Sequence, residues 1–254
     1  MHGDRLAWLT KVEGMTTAEA MAALQDSAVA HIETAAAKQS AEDKYAYLMQ
    51  LWTEARALIG SPAERYLRDT RGIDTSRLPA SIHEALRFHP RCPFGANNRV
   101  PCLIALMRNP LSGAPVGLHR TALKRDADGR IDRDGRKMFG KAGVVQLWPI
   151  NGNEQLVVGE GLETTLAAAV HVPYHGTPLT PAWSALTAGG LKCLPVLPGV
   201  SPLILLVDND ENGEGQRAAE QCRRAWKAAG RIAVPLIPKQ RGWDFNDVVF
   251  GRKV

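Results

Sequence analysis

The sequence lacks most of the features that would anchor, cross-link or tag a protein. Four cysteines, Cys92, Cys102, Cys193 and Cys222, are spread over 254 residues and never come closer than ten positions. With no CxxC pair and no Cys/His cluster of finger spacing, neither a structural zinc site nor a disulfide framework is expected. The stretch Met1–Thr10 is polar and has no apolar core of a signal peptide. No apolar run approaches the roughly 18 residues that cross a bilayer. No GxxxxGK[ST] is present, so the chain is not a P-loop ATPase. Internal repeats and low-complexity tracts are absent too. These absences predict a soluble cytoplasmic protein with free thiols, no zinc and no membrane contact. Aromatic residues are scarce at 6%, which leaves few side chains for stacking on unpaired bases.

What is present is ordinary in amount and uneven in distribution. Hydrophobic residues make up 45% and charged residues 22%, near globular averages. The net charge of +5 favours an anionic partner. Residues 15–60 are Ala-rich and lack glycine between Met15 and Ile59. Thr16 and Glu19 have capping-box spacing, and Ser40 with Asp43 offers a second start, so two helices are expected, near 17–36 and 41–59. They are either a helical extension packed on the main body or a partner-binding arm.

Ser61-Pro62-Ala63-Glu64 is a further helix start, with Ser as N-cap and Pro at the first helical position, and Gly72 suits its end. From Ala85 to Lys141 the chain turns to short strands. Pro101–Met107 reads as a buried strand, Asn109–Gly113 as a turn, and Val116–Leu123 as the hairpin partner. The same stretch carries twelve Lys and Arg against four Asp, an excess larger than that of the whole chain. Part is a self-neutralising Arg/Asp alternation over Arg125–Arg136. The rest is either ordinary solvated charge or a phosphate-contacting surface.

From Gln155 onward strands alternate with helices: strands at Gln155–Glu160, Ala182–Leu186, Ser201–Asp208 and Arg231–Ile237, helices at Glu163–Val170 and Gly215–Ala229. That order implies a parallel sheet with helices on its faces. Open sheets of this kind place their sites at the carboxyl ends of the strands, and three acidic clusters fall there. Glu160 precedes Gly161, which lets the chain turn sharply. Asp208 and Asp210 are two apart on an extended segment and can converge. Asp244 and Asp247 follow the last strand. Converging carboxylates repel unless a cation lies between them, and hard oxygen ligands select Mg²⁺ or Mn²⁺ over zinc.

In order, Leu156-Val157-Val158-Gly159-Glu160-Gly161, then Leu205-Leu206-Val207-Asp208-Asn209-Asp210 with Gly213, Gly215 and Ala218-Ala219, then Asp244 and Asp247, resemble the Toprim domain. That domain is shared by DnaG-type primases, type IA and type II topoisomerases and some nucleases. Ala63-Glu64-Arg65-Tyr66-Leu67 with Arg71-Gly72-Ile73 is similar to the element that opens the catalytic core of DnaG-type primases. Phe88, Leu103–Met107 and Gly117–Arg120 follow it in the family's order. The likeness runs from about residue 61 to 250 and is greatest to the primase-like Toprim proteins of phages and plasmids. The family's zinc-binding domain has no counterpart here, and no room is left for a C-terminal helicase region. Cellular primases carry an aspartate four residues after the motif glutamate. This chain has Thr164 there, with Glu163 just before it, either a replacement carboxylate or an acid favoured by the helix dipole.

The resemblance implies an α/β Toprim fold over 151–254, preceded by a small mixed α+β basic subdomain at 61–150 and an N-terminal helical segment at 1–60. It implies a DNA primase-type nucleotidyltransferase that synthesises short RNA primers for DNA replication by metal-dependent phosphodiester formation. Its partners would be a single-stranded DNA template, nucleoside triphosphates and a replicative helicase. Asp208 and Asp210 would hold Mg²⁺ or Mn²⁺ with Asp244 or Asp247 assisting, and Glu160 would act as general base. Arg120, Lys137 and Lys141 are candidates for nucleotide and template phosphates. The alternatives are a Toprim metal-dependent nuclease using the same carboxylates, or a degenerate accessory protein that only binds nucleic acid. A topoisomerase is disfavoured because nothing supplies its tyrosine domain.

Overall fold

The glycine-free, Ala-rich N-terminal segment forms one helix, α1 (Thr17–Glu54), rather than the two expected. Thr16 and Glu19 cap it reciprocally, the Glu19 carboxylate accepting from the Thr16 N–H at 2.8 Å and the Thr16 hydroxyl from the Glu19 N–H at 3.3 Å. No proline or glycine interrupts the run, so Ser40 starts nothing, and Asp43 instead accepts from Gln39 at 3.0 Å. The computed structural model describes residues 16–152 and 154–251, so the Met1–Thr10 stretch lies outside it. By contacts the chain divides into two compact units, Met1–Tyr47 and Leu48–Val254. In the first unit, Met21 and Tyr45 are exposed.

The second unit contains two five-stranded sheets. The first is antiparallel throughout: β1 (Arg56–Ala57), β2 (Leu86–Pro93), β3 (Arg99–Arg108), β4 (Pro115–Arg125) and β5 (Ile131–Gly140), in that spatial order. Between β1 and β2 comes the short helix α2 (Pro62–Arg65), where the Ser61 hydroxyl accepts from the N–H groups of Ala63 and Glu64. A π-turn at Tyr66–Thr70 follows, and Gly72 stops it in the left-handed region at φ +62°. The Asn109–Gly113 turn forms as expected, with the Asn109 side chain accepting from Leu111 and Ser112.

Side chains alternate across a strand, and here both faces of β3 and β4 are covered. Leu48, Leu51 and Trp52 of α1 pack on Cys102, Ile104, Leu106, Leu118 and Ala122. The other face, Leu103, Ala105, Met107 and Leu123, packs on Tyr66, Leu67, Leu162 and Leu166.

The second sheet contains β6 (Val145–Gln146), β7 (Glu154–Gly159), β10 (Ala182–Ser184), β11 (Val200–Leu206) and β12 (Ala233–Leu236); a separate small hairpin joins β8 (Pro173–Tyr174) to β9 (Thr177–Pro178). The order is β12-β11-β7-β10-β6, parallel except for the edge strand β6. Helices α3 (Leu162–His171), α4 (Ala188–Lys192), α5 (Glu214–Ala228) and α6 (Phe245–Phe250) complete the unit. Leu156, Val158, Leu203 and Leu205 face Ala219, Cys222 and Trp226 of α5. Val157, Ile204 and Leu206 face Ala168 and Ala169 of α3 and Phe245 of α6. Apolar residues on both faces are what a doubly covered parallel sheet requires, and this is the expected α/β architecture, with β6 joining the sheet from before residue 151. No described helix is long and apolar enough to cross a membrane.

Candidate active site

The carboxyl ends of β7 and β11 lie side by side, with Gly159 paired to Leu206. Each strand releases an acid just beyond its last paired residue. A Cβ at Gly159 would fall on Thr165 Oγ1, so the glycine lets α3 start directly against the sheet. The Glu160 carboxylate accepts from the Ala188 N–H. It also passes so near Gly215 that a Cβ there would lie 3.2 Å from Glu160 Oε2. Burial, then the charge of Asp210, pushes the Glu160 carboxyl upward.

Asp208 is the most perturbed carboxylate of the group. Burial, then Asp244, Glu160, Asp210 and Asp247 in decreasing order, raises it to about 7. Its Oδ1 is buried without a hydrogen-bond partner among the described residues. The adjoining loop is held rigidly: the Asn209 N–H donates to Trp243 O at 3.0 Å and its amide to Pro238 O at 3.0 Å, while Gly242 N–H donates to Asn209 O at 2.7 Å. These bonds bring the third acidic cluster to the second.

Asp244 and Asp247 form a capping box on α6. Asp244 Oδ1 accepts from Asp247 N–H at 2.8 Å and Asp247 Oδ2 from Asp244 N–H at 3.1 Å. The Thr164 hydroxyl reaches Asp244 Oδ2 at 3.3 Å, so the residue that stands in the place of an aspartate is linked to the cluster. Of the two, Asp244 has the stronger influence on Asp208.

Among the described residues, no three His, Cys, Asp or Glu side chains close around a point as a finished ion cage. An orphaned buried carboxylate oxygen within the field of four more acids nevertheless fits a hard divalent cation. Mg²⁺ is ordinarily held by one or two carboxylates, with water and substrate phosphate completing its shell.

Glu163 does not join this cluster. It is 1% exposed, accepts from the Tyr66 hydroxyl at 2.9 Å and pairs with Arg136 at 3.1 Å. Burial pushes its pKa up, but Arg136, its own N–H and Tyr66 outweigh that and hold it low. Glu163 therefore clasps α3 to the first sheet.

The three proposed phosphate contacts fall in different settings. Arg120 is 9% exposed, and its guanidinium donates to the carbonyls of Pro93 and Met138 near the rings of Phe94 and Phe139. The alternation of β4 turns it toward the face covered by α1. Lys137 is exposed but donates to Phe94 O at 3.2 Å and lies over that ring. Lys141 is exposed.

The opposite face of β4 and β5 holds a polar group that sequence patterning did not single out. His119 pairs with Met138, Thr121 with Arg136 and Leu123 with Arg133. Arg71 adds its charge near Glu163 and Tyr66. Arg71 Nε, His119 Nδ1 and Thr121 Oγ1 are buried without partners among the described residues. Burial, with Arg136, Arg120 and Arg133 reinforcing it against Glu163, lowers His119 to about 4. The period of two along β5 separates Arg136 from Lys137, whereas Arg133 reaches the face of Arg136 only through the register shift between Thr121 and Leu123, which the sequence does not show.

Two family models match the chain: residues 42–146 match a "Domain of unknown function (DUF7146)" and residues 155–252 a "Toprim domain". No curated protein matches significantly. Among solved structures, the chain is similar to the primase fragment of the bacteriophage T7 primase-helicase protein, with 20% identity, TM-score 0.46, and 72% of this chain and 68% of that one covered. It is also similar to a bacteriophage T7 assembly of lagging-strand DNA polymerase with primase domains bound to an RNA/DNA hybrid and dTTP. There the identity is 19% and the TM-score 0.44, with 78% and 85% covered.

Proposed function

From the premise that residues 155–252 are a Toprim domain, we propose that this chain is a metal-dependent nucleic-acid enzyme of the primase type. In this reading it joins nucleoside triphosphates into short RNA primers on single-stranded DNA. The supporting observation is Asp208, a buried carboxylate with an orphaned oxygen amid four other acids. Such a group is unfavourable until a cation joins it.

Asp208 and Asp210, with Asp244 or Asp247 assisting, are the residues that would hold Mg²⁺ or Mn²⁺. A bound ion of this kind neutralises phosphate charge and aligns attacking and leaving oxygens. Glu160 is assigned as the base. It takes the proton of the attacking 3′-hydroxyl as that oxygen bonds to the α-phosphorus and pyrophosphate departs. Its contact with the Ala188 N–H fixes its orientation. Arg71, Arg133 and Arg136 are assigned to substrate phosphates. Residues 61–150 are assigned to template and nucleotide contacts and 151–254 to the chemistry. A replicative helicase is the partner this activity would need.

The test incubates the protein with Mg²⁺ or Mn²⁺, single-stranded DNA and labelled nucleotides, beside an Asp208→Asn/Asp210→Asn variant. Short labelled products that disappear in the variant are expected. A shortened template without synthesis would make the protein a Toprim nuclease. Binding alone, unchanged in the variant, would make it an accessory protein.

A further inference from the structure

We propose that the cavity behind Glu160 is a nucleobase subsite. The turn 184–190 has two sides. One holds the catalytic strand end: Ala185 N–H donates to Gly159 O at 2.8 Å, the Ser184 hydroxyl to Glu160 O at 3.3 Å, and Ala188 N–H to the Glu160 carboxylate. The other side lines a cavity of about 310 Å³ whose far wall is Met138 with Ala142, Gly143 and Val144. Small-molecule pockets span roughly 300–1,000 Å³, so this one has room for a single flat ring system and not for a stretch of strand.

Its chemistry suits such a ring. Met138, Leu186, Val144 and Leu194 give apolar walls, while Thr187 and Cys193 are the polar side chains. A methionine thioether beside an aromatic plane is a favourable contact. Gly189 and Gly190 leave one wall as bare peptide. At Gly190 a Cβ would fall on Ala185 O, whereas at Gly189 the nearest atom would be Thr187 Oγ1, 3.7 Å away. Leu186 lines the cavity at φ +66°, a left-handed conformation that side chains other than glycine rarely adopt and that concentrates at ligand clamps.

Charge continues outward from the cavity. Met138 lies opposite His119 on β4, and two positions along the same face of β5 comes Arg136. Exposed Lys141 precedes Ala142 at the wall. A base in the cavity would therefore have cations along the strand for its phosphates. With so few polar groups the subsite would hold any base by its faces, without reading sequence.

This inference rests on the nucleic-acid reading above, and the base could belong to a nucleoside triphosphate or to a single strand. Cys193 lines the cavity and is exposed, whereas the other three cysteines are buried, so its labelling rate by a maleimide reports occupancy. The rate is measured alone and with ATP, oligodeoxythymidylate, tripolyphosphate or an abasic strand, and the binding of each is followed separately by displacement of a fluorescent nucleotide or strand. One base-bearing ligand, at several times its dissociation constant, should slow labelling at least about fivefold, while its base-free counterpart does not. The protecting ligand identifies the source of the base. Gly189→Leu places a bulky side chain at the cavity lining and should weaken that ligand by a similar factor, leaving the base-free one unchanged. If both base-bearing ligands bind but neither protects Cys193 nor senses Gly189→Leu, the subsite is wrong and the functional reading stands. If neither binds, the functional reading fails and the subsite with it.

Discussion

Burial is the main cause of the shifts at both Asp208 and His119 but moves them in opposite directions, and each gives a measurable consequence. The folded protein keeps a proton on Asp208 up to about pH 7, whereas the unfolded chain loses it near 3.8. Without metal, folding is therefore weakened progressively as pH rises through that window and stays weakened above it. Asp208→Asn should raise the metal-free stability at pH 8 by about 2 kcal/mol, allowing for partial solvation. The same variant should lose the extra thermal stability that Mg²⁺ gives the wild type. Thermal melts with Mg²⁺ and with chelator check both. His119 has the opposite sign. Its imidazole stays neutral in the fold down to about pH 4, while the unfolded chain takes up the proton near 6.5. Its contribution is complete above about 6.5 and is lost as pH falls toward 4, by as much as about 3 kcal/mol. Urea titrations across that range should show a shallower acid loss in His119→Gln than in the wild type.

The elements of the parallel sheet meet through close backbone approach, and Gly159 is the tightest example. Gly159→Ala should cost about 1–3 kcal/mol, the usual range for overpacking. Thr165→Ala in the same chain should recover part of it, since the oxygen in the way belongs to Thr165; denaturation midpoints of the two single variants and the double one show the coupling. Most of these elements were legible in the sequence. Continuous apolar runs marked β7 and β11, and the acids beyond them were found because strand ends are recognisable locally. The helix α1 was divided in two because Ser40 and Asp43 look like a start, yet an unbroken run of helix formers needs none. Arg120 was offered as a phosphate contact because it lies in the basic stretch from Ala85 to Lys141. What the sequence did not show is its burial: β4 is covered on both sides, by α1 and by the Tyr66 segment with α3, and no local pattern reveals that.

At the scale of the whole second unit, the two sheets are joined through a buried charge. Tyr66 and Glu163 are 97 positions apart and Arg136 and Glu163 are 27 apart, so spacing could not have paired them. Removing one partner of a buried charge is costly. Glu163→Ala should lower unfolding stability by about 3 kcal/mol or more, with Tyr66→Phe losing about 1 kcal/mol. The Mg²⁺-induced rise in melting temperature should survive in both, because Glu163 lies outside the acidic cluster. Strand affinity, by contrast, should fall in Arg133→Ala/Arg136→Ala, and its salt dependence should flatten by roughly two phosphate contacts, as titrations at several salt concentrations would show.

Helix α6 is fastened at two places. Asn246 donates to Arg71 O at 2.7 Å, the Phe250 ring covers Gly72, and Asp244 stands beside Asp208. One short rod thus links the acidic cluster to the segment that carries Arg71. A change in its length or tilt would displace both together.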